Sequence, residues 1–171
     1  MAIQIAKAFG AYVAATASTR NQDLLRELGA DLAIDYTREK IGKMRPKFDL
    51  VLDGIGNSVW AESFRALKMG GCLVTLAPPI PEQSSGKVKF FATAIQGIGF
   101  GVVRGLLGGK RLSIARVKPR GGELEKISAL IEAGKIRPVV EKVFALEQMA
   151  DAHRLSEAGH VRGKLVIQIG S

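Results

Sequence analysis

The sequence predicts an α/β domain in which parallel strands alternate with helices to build a doubly wound sheet. Three observations carry this. First, β-type runs at 11–17, 31–36, 48–53 and 72–77 alternate with stretches of helical composition and spacing. Second, FDLVLD at 48–53 is an almost continuous apolar run bounded by Gly54 and Gly56, the pattern of a strand buried on both faces. Third, 47% hydrophobic and 24% charged residues over 171 positions are the composition of one globular domain with a core, which argues against disorder.

The elements follow in order. Residues 1–9 have helix composition, and Gly10 is a natural stop. After the strand at 11–17, Asn21 is placed to cap a helix with Leu24, Leu25 and Leu28 on one face, closed by Gly29. A strand at 31–36 leads into a basic stretch, read as one helical turn and a loop around Pro46. After the strand at 48–53, Ser58 is the expected cap of a helix whose Trp60, Phe64 and Leu67 share a face, and Gly70-Gly71 is the expected turn. Cys72 opens the strand at 72–77, which Pro78-Pro79 stops.

The alternation breaks between 81 and 120. Residues 90–109 are apolar, with six glycines and the single charge Arg104, and read as a buried or interface helix rather than a membrane span. A strand at 112–117 is expected next. A helix at 123–133 places Leu124, Ile127, Leu130 and Ile131 on one side, with Gly134 as its stop. An extended segment at 136–144, a helix at 146–155 and a strand at 164–169 close the chain. The expected organisation is core βα units at 1–80, a variable apolar and basic insert at 81–120, and closing helices and strands at 121–171.

Charge and cysteine content narrow the chemistry. The net charge of +9 is concentrated between Gln83 and Gly122, which hold eight basic and no acidic residues, while the other 17 basic and 16 acidic residues nearly cancel. Such a segment can attract phosphates, anionic lipid or nucleic acid. Its plainer reading is a solvated loop or a face that meets another domain, so no nucleic-acid partner and no membrane span are expected. Cys72 is the one cysteine, which excludes a disulfide framework and a cysteine-rich zinc site within one chain. His153 and His160 have no partner nearby in sequence and are read as structural. No charged start followed by an apolar run is present, so no signal peptide is expected and the cytoplasm is the default.

A doubly wound sheet binds ligands outside the carboxyl ends of its strands, so the residues just after each strand are the candidates. Ser18, Thr19 and Arg20 follow the strand at 11–17. A carboxylate there would hold the ribose hydroxyls of NAD, whereas two hydroxyls and a cation suit the extra phosphate of NADP(H). A plain helix cap with an exposed arginine explains them equally well. Gly54, Ile55 and Gly56 follow the strand at 48–53 and would let a ligand approach the backbone; a tight turn is the alternative. Ala77, Pro78 and Pro79 would form another lip of the same cleft, and Tyr36 either packs on ribose or adenine or is a rim aromatic.

Taken together, the stretches AIQIAKAFGAYVAATASTRN (2–21), LLRELGADLAIDYTRE (24–39), FDLVLDGIGN (48–57), FRALKMGGCLVTLA (64–77) and the closing segment 121–169 resemble the medium-chain dehydrogenase/reductase superfamily, in its NADP-dependent, quinone-oxidoreductase-like branch. The resemblance implies a Rossmann-like domain preceded by a strand and a Gly-rich turn before Ala2, both lacking here, and by a GroES-like domain carrying the catalytic groups. Ser18, Thr19 and Arg20 match the position that selects the 2′-phosphate, Tyr36 an adenosine-side contact, and Gly54 to Asn57 with Ala77 to Pro79 the nicotinamide-side wall. Arg162 and Lys164 match the closing turn, which implies a weak contact to the cofactor or to the missing domain.

The implied function is the nucleotide-binding portion of an NADPH-dependent oxidoreductase that reduces quinones or α,β-unsaturated carbonyls by hydride transfer. The isolated chain is expected to be inactive, with no catalytic or metal-binding residue of its own, and to associate with itself or with the missing GroES-like domain. The full-length relative would act on a small-molecule substrate. Two alternatives remain: a non-catalytic fragment or interaction module, and an S-adenosylmethionine-dependent methyltransferase. The helix–turn–strand at 67–74 suggests the latter, but Ser18-Thr19-Arg20 is the wrong chemistry for its ribose.

Overall fold

The computed structural model describes residues 1–44, 47–77, 99, 109–115, 120–159 and 161–170. The expected loop at Pro46, the lip at Pro78 and Pro79, the apolar helix at 90–109 apart from Gly99 and Gly109, the strand end at 116–117 and His160 lie outside the described residues.

Five helices and seven strands run in the order α1 (Ala2–Ala8), β1 (Ala14–Ala17), α2 (Gln22–Glu27), β2 (Leu32–Asp35), β3 (Phe48–Asp53), α3 (Asn57–Ala66), β4 (Leu67–Thr75), β5 (Arg111–Ile114), α4 (Gly121–Glu132), β6 (Val140–Ala145), α5 (Met149–Glu157) and β7 (Lys164–Gln168), among the described residues. Among the described residues the strands pair as β1–β2, β3–β4–β5 and β6–β7. The last two sheets are parallel throughout. In the first, Val13 O accepts from Asp31 and Leu32 while Ala17 O accepts from Tyr36, so both strands advance together and are parallel too.

The chain divides into two compact units: 1–15, 23–33 and 120–171, and 16–22 with 34–119. The second unit holds the better-built core. Trp60, Phe64 and Leu67, at helical spacing along and just beyond α3, meet Leu73 of β4, with Val51 and Leu112 packed against them. All four buried side chains are at most 2% exposed, and burying each aliphatic or Phe side chain stabilises the fold by about 1.5–3 kcal/mol. Val51 of β3 faces this core, so Leu50 and Leu52 point from the opposite face, 59% and 45% exposed.

Three local expectations are corrected here. Gly70 and Gly71 are not a turn: β4 begins at Leu67, directly after α3, and includes both. Phe48 pairs with Leu67 and Leu50 already with Cys72, so the extra residues of β4 bulge out of register. Ser58 is not the cap of α3, whose flanking residue is Gly56. Asn21 does not cap α2: a 3₁₀ turn over Thr19–Asn21 precedes the helix, and Asn21 Oδ1 is buried without a hydrogen-bond partner.

In the first unit, polar contacts set the geometry. Lys7 of α1 reaches Asp31 at 2.8 Å, and Asp31 also accepts from the Val13 amide at 2.7 Å. The buried amide of Gln4 donates to Arg137 O at 3.1 Å and accepts from Arg137 N at 2.6 Å, a two-point clasp on the chain leading into β6. Gly163, at φ +127°, directly precedes β7, and a Cβ there would collide with Val139 O. Only glycine fits. The expected apolar face of α4 exists, but no residue of that helix is buried, and Leu124 is 67% exposed.

Candidate functional site

The carboxyl ends of β1 and β2 lie side by side, because Ala17 O accepts from Tyr36 N. Gln22 braces them from below, donating through Nε2 to Ala17 O at 2.9 Å and Ile34 O at 3.1 Å. This brings Ser18, Thr19 and Arg20 to the same end as Tyr36, whose ring is exposed.

A carboxylate from β2 meets the turn after β1. Asp35, buried at the end of that strand, accepts from Thr19 Oγ1 at 2.5 Å and from the hydroxyl and amide of Thr37 at 2.6 and 2.9 Å. Arg38 Nε lies 3.6 Å from it. The Thr19 hydroxyl bond, then that of Thr37, holds the Asp35 carboxyl below the usual carboxylate range. A hydroxyl has one proton. Thr19 gives it to Asp35 and so fixes the turn that carries Ser18 and Arg20, with Arg38 ion-paired to Asp35 beside it.

The second cluster sits where β3 and β4 end. Asp53, the last residue of β3 and 4% exposed, accepts from Ile55 N at 2.9 Å, Gly56 N at 3.1 and 3.2 Å, Trp60 Nε1 at 2.9 Å and Thr75 Oγ1 at 3.0 Å. Its backbone carbonyl accepts from Leu76 N at 2.7 Å. Thr75 Oγ1 in turn accepts from Ala77 N at 3.2 Å. Gly56 has φ +106° and ψ −163°, a region essentially closed to side chains, and a Cβ there would lie 3.3 Å from Ala77 O. Gly54, Ile55, Gly56 and Ala77 are therefore brought together, with the Ile55 side chain 66% exposed at the tip.

The two clusters stand at the ends of different sheets in the same compact unit. Arg162 and Lys164 belong to the other unit, where Arg162 N donates to Glu141 Oε2 and Lys164 N to Val139 O at 2.8 Å. Sequence reading missed Asp35, Asp53 and Thr75. The signal for Asp53 was a carboxylate at a strand end directly before Gly-x-Gly with an indole seven residues on. Asp35 meets Thr19 across two strands, a contact no local pattern announces.

Among the described residues no group of three or more His, Cys, Asp or Glu could hold a metal ion, and no helix is long and apolar enough to cross a membrane.

Comparison with known proteins gives consistent relatives. The profile of a family described as zinc-binding dehydrogenase matches residues 28–167. The mitochondrial NAD(P)H oxidoreductase RTN4IP1 of Danio rerio is 38% identical, covering 98% of this chain and 45% of its own length. The chloroplastic NADPH-dependent alkenal/one oxidoreductase of Arabidopsis thaliana is 36% identical, over 98% of this chain and 36% of its own. A solved structure of the quinone oxidoreductase from Coxiella burnetii superposes with a TM-score of 0.75 at 30% identity, covering 99% of this chain and 48% of that one. The chain spans less than half the length of these relatives.

Proposed function

Because the chain belongs to the zinc-binding dehydrogenase family of the medium-chain dehydrogenase/reductase superfamily, we propose that it forms the nucleotide-binding part of an NADPH-dependent oxidoreductase acting on quinones or α,β-unsaturated carbonyls. The observation that carries the reading is the Ser18-Thr19-Arg20 turn at the carboxyl end of β1, where Asp35 fixes Thr19 and Arg38 adds a second cation. A 2′-phosphate is dianionic and rich in acceptors, so the Ser18 hydroxyl and the two guanidinium groups suit it. The relatives named for NADPH and for alkenal/one or quinone substrates support the same choice.

The residues present fit the cofactor's two halves. Ser18, Arg20 and Tyr36 would hold the adenosine side. Gly54, Ile55, Gly56 and Ala77 would line the nicotinamide side, where a side chain at Gly56 would crowd Ala77 O. When bound, NADPH supplies the hydride. The chain's own groups position and shield it, and the acceptor's second wall would come from the remaining length of such a reductase. The residues present do not fit a zinc site: Cys72 is the single cysteine and no described cluster offers a donor set. The cytoplasmic expectation gains no support from relatives named mitochondrial and chloroplastic.

The test is a fluorescence titration of the chain with NADPH and NADH, repeated with Arg20→Glu. The expected result is a preference of about tenfold or more for NADPH, the worth of one charge-assisted contact, lost in the variant. Equal affinities in the wild type would remove the NADPH assignment.

Self-association is a second reading, favoured by one feature. β3 is the terminal strand of its sheet and carries exposed Leu50 and Leu52, a template for pairing with another chain. Sedimentation velocity of the purified chain distinguishes a monomer from a dimer.

A further inference from the structure

We infer that the Asp53 carboxylate is a positioning residue for the nicotinamide half of the cofactor, holding the loops after β3 and β4 together as one wall. The inference rests on the reading above, and it assigns to a buried acid a role that none of the wall's own residues has.

Four residues donate to this one side chain. Oδ1 accepts from the amides of Ile55 and Gly56; Oδ2 accepts from Gly56 N, the Trp60 indole and the Thr75 hydroxyl. Ile55 and Gly56 belong to the loop after β3, Trp60 to α3, and Thr75 is the last residue of β4. The Thr75 hydroxyl lies 3.0 Å from Asp53 Oδ2 and 3.1 Å from Ala77 O, and has one proton for the two. Given to the carboxylate, it makes the stronger, charge-assisted bond. Its lone pair then accepts from Ala77 N, so the second loop is tied to Asp53 through Thr75.

All four donors are neutral. A buried carboxylate is expensive to hold without a cation, and it is tolerated because every partner points a proton at it. Such an arrangement admits no isostere. In asparagine one oxygen becomes an NH₂ donor. Placed at Oδ1 it faces the Ile55 and Gly56 amides; placed at Oδ2 it faces the Trp60 indole. Either way a buried N–H meets another donor, and the Gly56 backbone, already in a region reserved for glycine, loses its anchor. The adenosine corner is held by separate bonds, Thr19 to Asp35 and Gln22 to Ala17 and Ile34, so it survives the change.

The experiment measures two ligands by calorimetry on the 171-residue chain. NADPH reports both halves of the site; adenosine 2′,5′-bisphosphate reports the adenosine half alone. Asp53→Asn is expected to weaken NADPH about tenfold, the effect of losing one buried charged hydrogen bond, while the bisphosphate stays within about twofold. Thr75→Val, which removes a single donor, is expected to weaken NADPH by about threefold, and Thr75→Ser, which keeps the hydroxyl, to restore it. If Asp53→Asn does not fold, the Thr75 pair decides.

Equal weakening of both ligands, or of neither, or a Thr75→Ser chain as weak as Thr75→Val, overturns the inference and leaves the proposed function standing. A wild-type chain that holds NADPH no more tightly than the bisphosphate overturns the wall and this inference with it. A wild-type chain that binds neither overturns the underlying reading as well.

Discussion

Replacing Gly56 by alanine tests the geometry of the loop after β3. Two costs add. The backbone sits at φ +106° and ψ −163°, where a side chain costs about 1–3 kcal/mol. The new Cβ would also lie 3.3 Å from Ala77 O, tighter than ordinary packing, and Ala77 is held by Thr75, so it cannot move freely. Together these predict a loss of about 2–3 kcal/mol, or about 5–10 °C in Tm for a domain of this size. The control is Gly54→Ala two residues earlier. A Cβ there meets nothing within 4 Å and no left-handed φ is present, so its melt should stay within about 1–2 °C of wild type. Differential scanning calorimetry of the three proteins at one pH gives the answer. A Gly56→Ala melt indistinguishable from wild type, or equal losses at both positions, would refute the account of this loop.

Three further outcomes follow from other contacts. Asp35 has its carboxyl held low by Thr19 and Thr37, so its folded pKa lies below the unfolded value of about 3.9; its contribution is present above about pH 4 and is lost as pH falls through the folded value. The stability gap between wild type and Asp35→Asn, read from urea midpoints, should therefore shrink as pH is lowered from about 6 to about 3; a gap independent of pH contradicts the assignment. Gln4→Ala leaves the Arg137 amide and carbonyl without their partner and should cost about 2 kcal/mol or more by the same assay, with Gln4→Glu, which keeps only the acceptor, falling between. Gly163→Ala would place a Cβ against Val139 O and should cost about 3 kcal/mol or more, seen as lost hydrogen-exchange protection in β6 and β7; unchanged protection there would sink the close-approach argument.

The parts of the fold that sequence reading found were those written in local pattern. The apolar run FDLVLD became β3, and the spacing of Trp60, Phe64 and Leu67 marked the buried face of α3 and the strand that follows it. What it missed depended on contacts distant in sequence or on competing local chemistry. Gly70-Gly71 reads as a turn, yet those residues lie within β4, whose register against β3 absorbs them as a bulge. Ser58 reads as a cap, but Asp53 takes the Ile55 and Gly56 amides just before α3, and the helix starts at Asn57. Asn21 does not cap α2 because it belongs to the 3₁₀ turn over Thr19–Asn21, where its amide bonds to Ser18 O. The candidate site was legible as positions, Ser18 to Arg20, Tyr36, Gly54 to Gly56 and Ala77, because a doubly wound sheet places them by rule. Of the two carboxylates that organise those positions, Asp35 was not legible, since it meets Thr19 across two strands, whereas Asp53 had a local signal in the Gly-x-Gly that follows it and only its bond to Thr75 lies across strands.

The most direct test of the central claim, that this unit presents a two-part nucleotide site at its strand ends, is an amide NMR titration of ¹⁵N-labelled chain. Adenosine 2′,5′-bisphosphate should shift Ser18, Thr19, Arg20 and Tyr36 alone. NADPH should shift those together with Gly54, Ile55, Gly56 and Ala77. Shifts confined to residues away from both clusters, or the same shifts from NADPH and the bisphosphate, would contradict it.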